Sequence, residues 1–264
     1  MTQHATARKA ASVAALLAAA GLALAGCKSS TSASGTASSP AAGGSSSGTA
    51  TSSASSGSSG SGGTSSAGTT YFPAAVGNTW VYQTTISDIS HGTITNKITA
   101  VTPVAGGKKV TMQILTGAGT ATTVSYIFHS DGSISVPFTQ VGGTAIKVTS
   151  GSIIWPSAAE LSSGQVHHAV LSMDVNLPGH VTHVAAQVAV QGKGTETVTV
   201  PAGTYQAQVI DETISEKVAG VAITLTVRTW VANGIGPVKT ELVSKAGPAG
   251  AANTVEVLKS FTKG

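Results

Sequence analysis

One cysteine in 264 residues, Cys27, leaves this chain without a partner for an internal disulfide and without a cysteine-built metal site. Aromatic residues make up 4% of the chain, and every Trp, Tyr and Phe lies at or beyond Tyr71, so an apolar core belongs to the later part alone. Charged residues make up 9% and are scattered singly, with Lys108-Lys109 the only basic pair after the first few residues. A basic stripe interleaved with aromatics, the mark of a nucleic-acid reader, is missing, and nucleic acid is excluded as a partner. No segment carries a convincing apolar stripe at helical period. No glycine pattern of the phosphate-cradling kind follows a strand and opens a helix, so nothing calls for a nucleotide cofactor.

What is present begins with Arg8 and Lys9, an apolar run from Ala10 to Leu24, and then Leu24-Ala25-Gly26-Cys27. A charged start, an apolar stretch and small residues before a cleavage point are the parts of an export signal. The run is about 15 residues, short of the roughly 20 needed to span a bilayer. With a cysteine directly after Leu-Ala-Gly, this segment resembles a bacterial lipoprotein signal. The resemblance implies removal of residues 1–26 and lipidation of Cys27. Acyl chains add about 0.8 kcal/mol of membrane affinity per buried CH₂. The expected location is the extracytoplasmic face of the cell membrane, with the membrane engaged through lipid on Cys27. Losing Arg8 and Lys9 takes 14 basic residues to 12 against 10 acidic ones, about +2.

From Lys28 to Thr70 every residue except Lys28 and Pro40 is Ser, Gly, Thr or Ala. Such a tract has nothing to bury and is expected to be a disordered tether, residues 27–69, with a reach of roughly 35 Å. Residues 70–264 are expected to be a single domain, large enough for a core without disulfides.

That domain alternates with period two. Trp80, Tyr82 and Ile86 share one face, opposite Gln83, Thr85 and Ser87. Val110, Met112 and Ile114 form a second set, Val124, Tyr126 and Phe128 a third, and Val184, Ala186, Val188 and Val190 a fourth. Tyr205, Ala207 and Val209 alternate with Gln206 and Gln208, and Ile223, Leu225 and Val227 with polar neighbours. Ser130-Asp131-Gly132, Gly142-Gly143, Pro178-Gly179, Ala202-Gly203, Gly220 and Asn233-Gly234 break the runs. The pattern predicts an all-β, antiparallel fold of about ten to twelve strands, as a curved sheet, an open barrel or a sandwich. One helical turn fits at most, over Ser157–Leu161.

Three segments are familiar together. Tyr71-Phe72-Pro73-Ala74-Ala75-Val76-Gly77-Asn78-Thr79-Trp80-Val81-Tyr82 resembles an FPL-x-VGN-x-W-x-Y opening. Thr197-Val198-Thr199-Val200-Pro201-Ala202-Gly203-Thr204-Tyr205 resembles VTVPAGTF. Trp230 to Lys239 is similar to W-x-A-x-GVG-x-VK. In this order they resemble a family of uncharacterised bacterial lipoproteins, loosely akin to TapB-type envelope proteins. Ala74, Tyr205 and Pro237 depart from its usual Leu, Phe and Leu. The resemblance implies an envelope β domain and carries no activity. The residues themselves suit fold devices: Pro201-Ala202-Gly203 as a corner, Gly234 and Gly236 at a bulged hairpin, Trp80 and Trp230 as core anchors.

Chemistry-bearing residues are sparse. His167 and His168 are adjacent, so in a strand they point to opposite faces. A hairpin about Pro178 places His180 near Val175 and His183 near Ser172. The best metal set is His180 and His183 with Asp174, but the expectation is no metal site. His91 and His129 are read as incidental. Asp211-Glu212 with Glu216 could make a carboxylate pair, and a solvated edge is the preferred reading. Gly44-Ser45-Ser46-Ser47-Gly48 matches the serine-hydrolase elbow but lies in the tether, with no strand before it or helix after it. The expectation is a non-catalytic binding or structural module of the envelope, with no catalytic residue and no cofactor. Its partner would be a cell-wall polymer or a protein. A carrier of a lipid or other hydrophobic ligand is the alternative, by fold-level analogy with carriers of the LolA and LprG kind, and a cell-envelope hydrolase is a lesser one.

Overall fold

The computed structural model describes residues 71–86, 90–117, 119, 121–136, 146–177, 180–218, 221–246 and 251–264. The expectations for residues 1–70, Cys27 among them, and for Gly142-Gly143, Pro178-Gly179 and Gly220 lie outside the described residues. Among the described residues thirteen strands and one short helix follow in order: β1 (Thr79–Ile86), β2 (Ser90–Val104), β3 (Gly107–Thr116), β4 (Ala121–His129), β5 (Ile134–Val136), β6 (Ile146–Ser150), β7 (Ile153–Trp155), α1 (Ala158–Ser163), β8 (Val166–Leu177), β9 (His180–Val200), β10 (Gly203–Val218), β11 (Val221–Ala232), β12 (Gly236–Ala246) and β13 (Ala251–Thr262). The all-β, antiparallel expectation is met. Among the described residues thirteen strands are found where about ten to twelve were expected, and β5, β6 and β7 are short, at three to five residues each.

All strands join one sheet, ordered β6-β8-β9-β10-β11-β12-β13-β1-β2-β3-β4-β5-β7. The first and last strands of the domain pair at its middle, Tyr82 against Leu258. The two outermost strands, β6 and β7, are consecutive in sequence, with only Gly151 and Ser152 between Ser150 and Ile153. Three Cα–Cα steps of about 3.8 Å reach roughly 11 Å. The two edges of the sheet therefore lie side by side, and the sheet is rolled. It is not closed by hydrogen bonds: β6 pairs with β8, and β7 with β5. The chain turns this corner against β8. Gly151 has φ +84°, and a Cβ there would lie 2.1 Å from the Val170 carbonyl oxygen, so only glycine fits.

Period-two alternation places the apolar residues in two cores. The first contains Leu171, Met173, Val184, Ala186, Val188, Val190, Ile210, Ile214, Leu225, Val227 and Leu242. The second contains Phe72, Trp80, Tyr82, Ile98, Val110, Met112, Phe128, Val209, Trp230 and Leu258. Trp80 is fully buried, stacks on Phe261 with ring centroids 5.1 Å apart, and donates through Nε1 to the Ile235 carbonyl at 2.6 Å. The anchor roles expected for Trp80 and Trp230 are met.

Bulges let single strands serve both cores. Between Gly192 and Thr195, β9 has one residue more than β10, at a Gly194 with φ +87°. Val184 to Val190 face the first core, whereas Val198 and Val200, also even-numbered, face the second. On β10, Tyr205, Ala207 and Val209 face the second core as their alternation implies. Gln208, on the opposite face, is buried as well. The two corner motifs are also as expected. Pro201-Ala202 link Val200 to its pairing partner Gly203, and the turn is pinned by Ala202 N–H donating to Leu258 O at 3.0 Å. The hairpin at Gly234 carries a bulge between Trp230 and Val231.

Candidate functional site

Where the edges of the rolled sheet meet, edge strand β7 leads into α1, which lies over β9. Ser157 caps α1: its hydroxyl accepts from Glu160 N, and Glu160 Oε2 accepts in return from Ser157 N at 2.9 Å. Gly164 ends the helix in the left-handed conformation. The helix is six residues long, slightly more than the single turn expected. Leu161 enters the first core. The helix sits so close to β9 that a Cβ on Gly192 would lie 1.9 Å from Leu161 O. Gln191 Nε2 donates to Gly164 O at 2.8 Å, and Trp155 Nε1 on β7 donates to Glu212 Oε2 at 3.3 Å.

Beside this helix lies a cleft of about 270 Å³ between the β4–β5 turn, β7–α1 and the β8–β9 pair. Ile154, Pro156, Ala169, Val188 and Val190 make its apolar part. Asp131, Ser133, Glu160, His167 and His168 make its polar part. Asp131 Oδ1 accepts from Ser133 N at 2.8 Å and Ser133 Oγ at 2.7 Å, and these bonds hold its pKa below the ordinary carboxylate value. Glu160 is lowered likewise by its bonds to Ser157, with a further contribution from nearby His167. Both carboxylates are exposed. His167 Nε2 is buried and has no hydrogen-bond partner.

His167 and His168 do alternate across β8, the former half-buried and the latter exposed, yet both line the cleft because it opens at the strand end. His129 Nε2 lies 2.7 Å from Ser135 Oγ. For His91 the structure settles only its backbone pairing with Thr85. The β8–β9 register corrects the expected one by two residues: His180 pairs with Leu177 and His183 with Asp174. Pairing runs up to Leu177 and His180 themselves, two residues beyond the register assumed from sequence. This brings His183 Nδ1 to 2.6 Å from Asp174 Oδ1 on an exposed strand pair. Among the described residues, no three His, Cys, Asp or Glu side chains are grouped to hold a metal.

The solvated-edge reading of Asp211, Glu212 and Glu216 is overturned. β10 lies inside the sheet, between β9 and β11. Asp211 faces outward and takes a two-pronged bond from Arg228, at 2.7 and 2.8 Å. Glu212 and Glu216 face inward, each with 8% exposure, and burial raises both pKa values to about 7. Glu216 Oε2 is buried without a partner. A third glutamate, Glu256, escaped the sequence reading because it lies far away in the chain. It is 2% exposed, accepts weakly from Thr84 Oγ1 at 3.5 Å, and burial raises its pKa well above the ordinary value. Its charge adds to burial in raising Tyr82 and Tyr126, the latter to about 12. The signal available in the sequence was the parity of the strands: Glu212 shares its face with Ile210 and Ile214, and Glu256 with Leu258.

Solved structures share this architecture. A Bacteroides fragilis protein assigned as exported, with a YmcC-like fold, aligns at TM-score 0.52 and 16% identity over 74% of this chain and 99% of its own. A Parabacteroides distasonis protein assigned as a lipoprotein aligns at TM-score 0.54 and 17% identity over 73% and 98%. Comparison with curated proteins finds no match. The DUF3108-like family profile matches residues 76–250, the span that runs from the Val76-Gly77-Asn78 opening through both corner motifs, and the chain belongs to the DUF3108-like family.

Proposed function

We propose that this protein is an extracytoplasmic lipoprotein, anchored through Cys27, whose rolled sheet is a non-catalytic binding module for a component of the cell envelope. The leader ending Leu24-Ala25-Gly26-Cys27 supports the anchor, as do relatives of the same fold assigned as exported or as lipoproteins. The single observation that carries the binding role is the cleft at the seam, about 270 Å³ in volume. It is smaller than the 300–1,000 Å³ usual for drug-sized ligands, so its occupant is a small molecule or the tip of a larger one. The acids support the non-catalytic reading as far as general-acid chemistry goes. Asp131 and Glu160 have lowered pKa values and stay ionised at neutral pH, where neither can act as a general acid. The carboxyls with pKa values near 7, Glu212 and Glu216, are committed to the buried interior.

The test is native mass spectrometry of the mature protein extracted from its own membrane. The expected species carries a diacylglyceryl mass on Cys27, and Cys27→Ala abolishes palmitate labelling and releases the protein from the membrane fraction. An additional, non-covalent acyl lipid on the wild type would replace the binding-module reading with the carrier.

A further inference from the structure

We propose that β7 and α1 form a lid on the seam cleft, latched to β10 by the bond between Trp155 and Glu212, and that the lid opens locally when Glu212 ionises. Such a device is independent of what the cleft binds.

No ladder ties this segment to the strands it lies against. β7 pairs through three residues with β5, while β8 pairs with β6 and β9, so β7 and β8 are not joined by strand pairing among the described residues. Glycines in the left-handed conformation stand at both ends, Gly151 with φ +84° and Gly164 with φ +71°. They are joints where the chain changes direction and where the backbone has freedom that other residues lack. Three interactions hold the segment inward. Leu161 sits in the first core, Gln191 Nε2 donates to Gly164 O at 2.8 Å, and Trp155 Nε1 donates to Glu212 Oε2 at 3.3 Å. The last spans the molecule, because β7 ends the sheet order and β10 is the fourth strand from its other end. Ile154, Pro156 and Glu160 of the segment line one wall of the cleft, opposite Ala169, Val188 and Val190. Movement of the segment therefore changes the size of the cleft, which is about 270 Å³ when closed.

Glu212 makes the latch responsive to pH. Its cross-strand partners are Val190 on β9 and Val227 on β11, and Trp155 faces it from β7. The titratable groups of the surrounding elements are Glu216 on β10, Glu160 on α1, His167 on β8 and Glu256 on β13, with Asp211 and Arg228 bonded to each other on the outward face. None of them contributes to the pKa of about 7, which burial raises and the Trp155 bond lowers. A closed lid therefore keeps the carboxyl neutral up to about pH 7. With the lid open, water reaches the group and it ionises at its ordinary 4.5. Rising pH through that window favours the open lid, and falling pH favours the closed one.

The experiment is native-state hydrogen exchange of the mature protein in detergent, read by mass spectrometry and corrected for the intrinsic pH dependence of exchange. The amides of residues 153–163 are expected to exchange before those of β10 and β11 and with little dependence on urea, as a local opening does. Their opening constant is expected to rise roughly fifty- to a hundredfold from pH 5 to pH 8, the change given by a carboxyl at about 7 when closed and 4.5 when open. Glu212→Gln keeps an acceptor for Trp155 but cannot ionise, so its lid is expected to open equally at both pH values. Glu216→Gln removes an acid about 13 Å further along β10 that makes no bond to Trp155, and the rise should persist. Trp155→Phe keeps an aromatic ring and removes the donor, and is expected to open the lid severalfold more at pH 5. Lid amides that exchange only together with β10 and β11 overturn the lid. A rise that survives Glu212→Gln, or is abolished as fully by Glu216→Gln, overturns the latch, as does unchanged exchange in Trp155→Phe.

Discussion

Replacing Glu212 by glutamine should stabilise the protein at pH 8 and leave it unchanged near pH 4.5. Glu212 is 8% exposed, and its pKa rises from an ordinary 4.5 to about 7 because burial penalises the carboxylate. Below pH 4.5 both folded and unfolded chains hold the proton, and the group is neutral toward stability. Between about 4.5 and 7 the unfolded chain has released it and the folded chain has not. Stability therefore falls with rising pH, by about 1.4 kcal/mol per pH unit for one group. Above pH 7 both forms are ionised, and the accumulated cost is about 3 kcal/mol. Glutamine never ionises, and its amide oxygen still accepts from Trp155 Nε1, which Glu212 holds at 3.3 Å. For a domain of this size the gain corresponds to roughly 6–12 °C in Tm. The assay is thermal unfolding of wild type and Glu212→Gln at half-unit steps from pH 4.5 to pH 8. Comparing the two at each pH cancels the contributions of Asp131 and Glu160, whose lowered pKa values act at the acid end. A pH-independent difference, or a variant less stable than wild type at pH 8, would refute the idea that an ionisable acid is buried at this position.

Glu216→Gln should behave likewise over the same pH range, since burial is the sole cause of its shift to about 7. Trp80→Ala removes a fully buried ring and its bond to Ile235, and should cost about 3–5 kcal/mol in denaturant unfolding. Gly192→Ala drives a Cβ to within 1.9 Å of Leu161 O, so α1 should lift from β9 and become cleavable by protease at about 1–3 kcal/mol of lost stability. Arg228→Lys breaks the two-pronged bond to Asp211, but with the Arg228 side chain 42% exposed the loss should stay below about 1 kcal/mol by the same unfolding assay.

Much of the fold could be read from residue parity. Val184 to Val190 alternate without a break, and water on one face and apolar side chains on the other can produce that pattern only in a strand. The corner at Pro201-Ala202-Gly203 and the bulged hairpin at Gly234 were equally legible, because Pro and Gly restrict the backbone locally. The candidate site was not. Its residues come from Asp131, Glu160, His167 and Val190, and nothing local links them.

By itself, then, the sequence determined the class: antiparallel strands and an aromatic core after Tyr71, with a single cysteine that leaves no internal disulfide. Only the tertiary structure decided that β6 and β7, two residues apart, would sit at opposite edges of one rolled sheet and that α1 would pack on β9. It also decided that Glu212, Glu216 and Glu256 would be buried and not solvated. Alternation reports that a side chain lies on one face of a strand. Which face becomes the inside depends on how the sheet curls and where bulges shift the register, and those are properties of strands far apart in the chain.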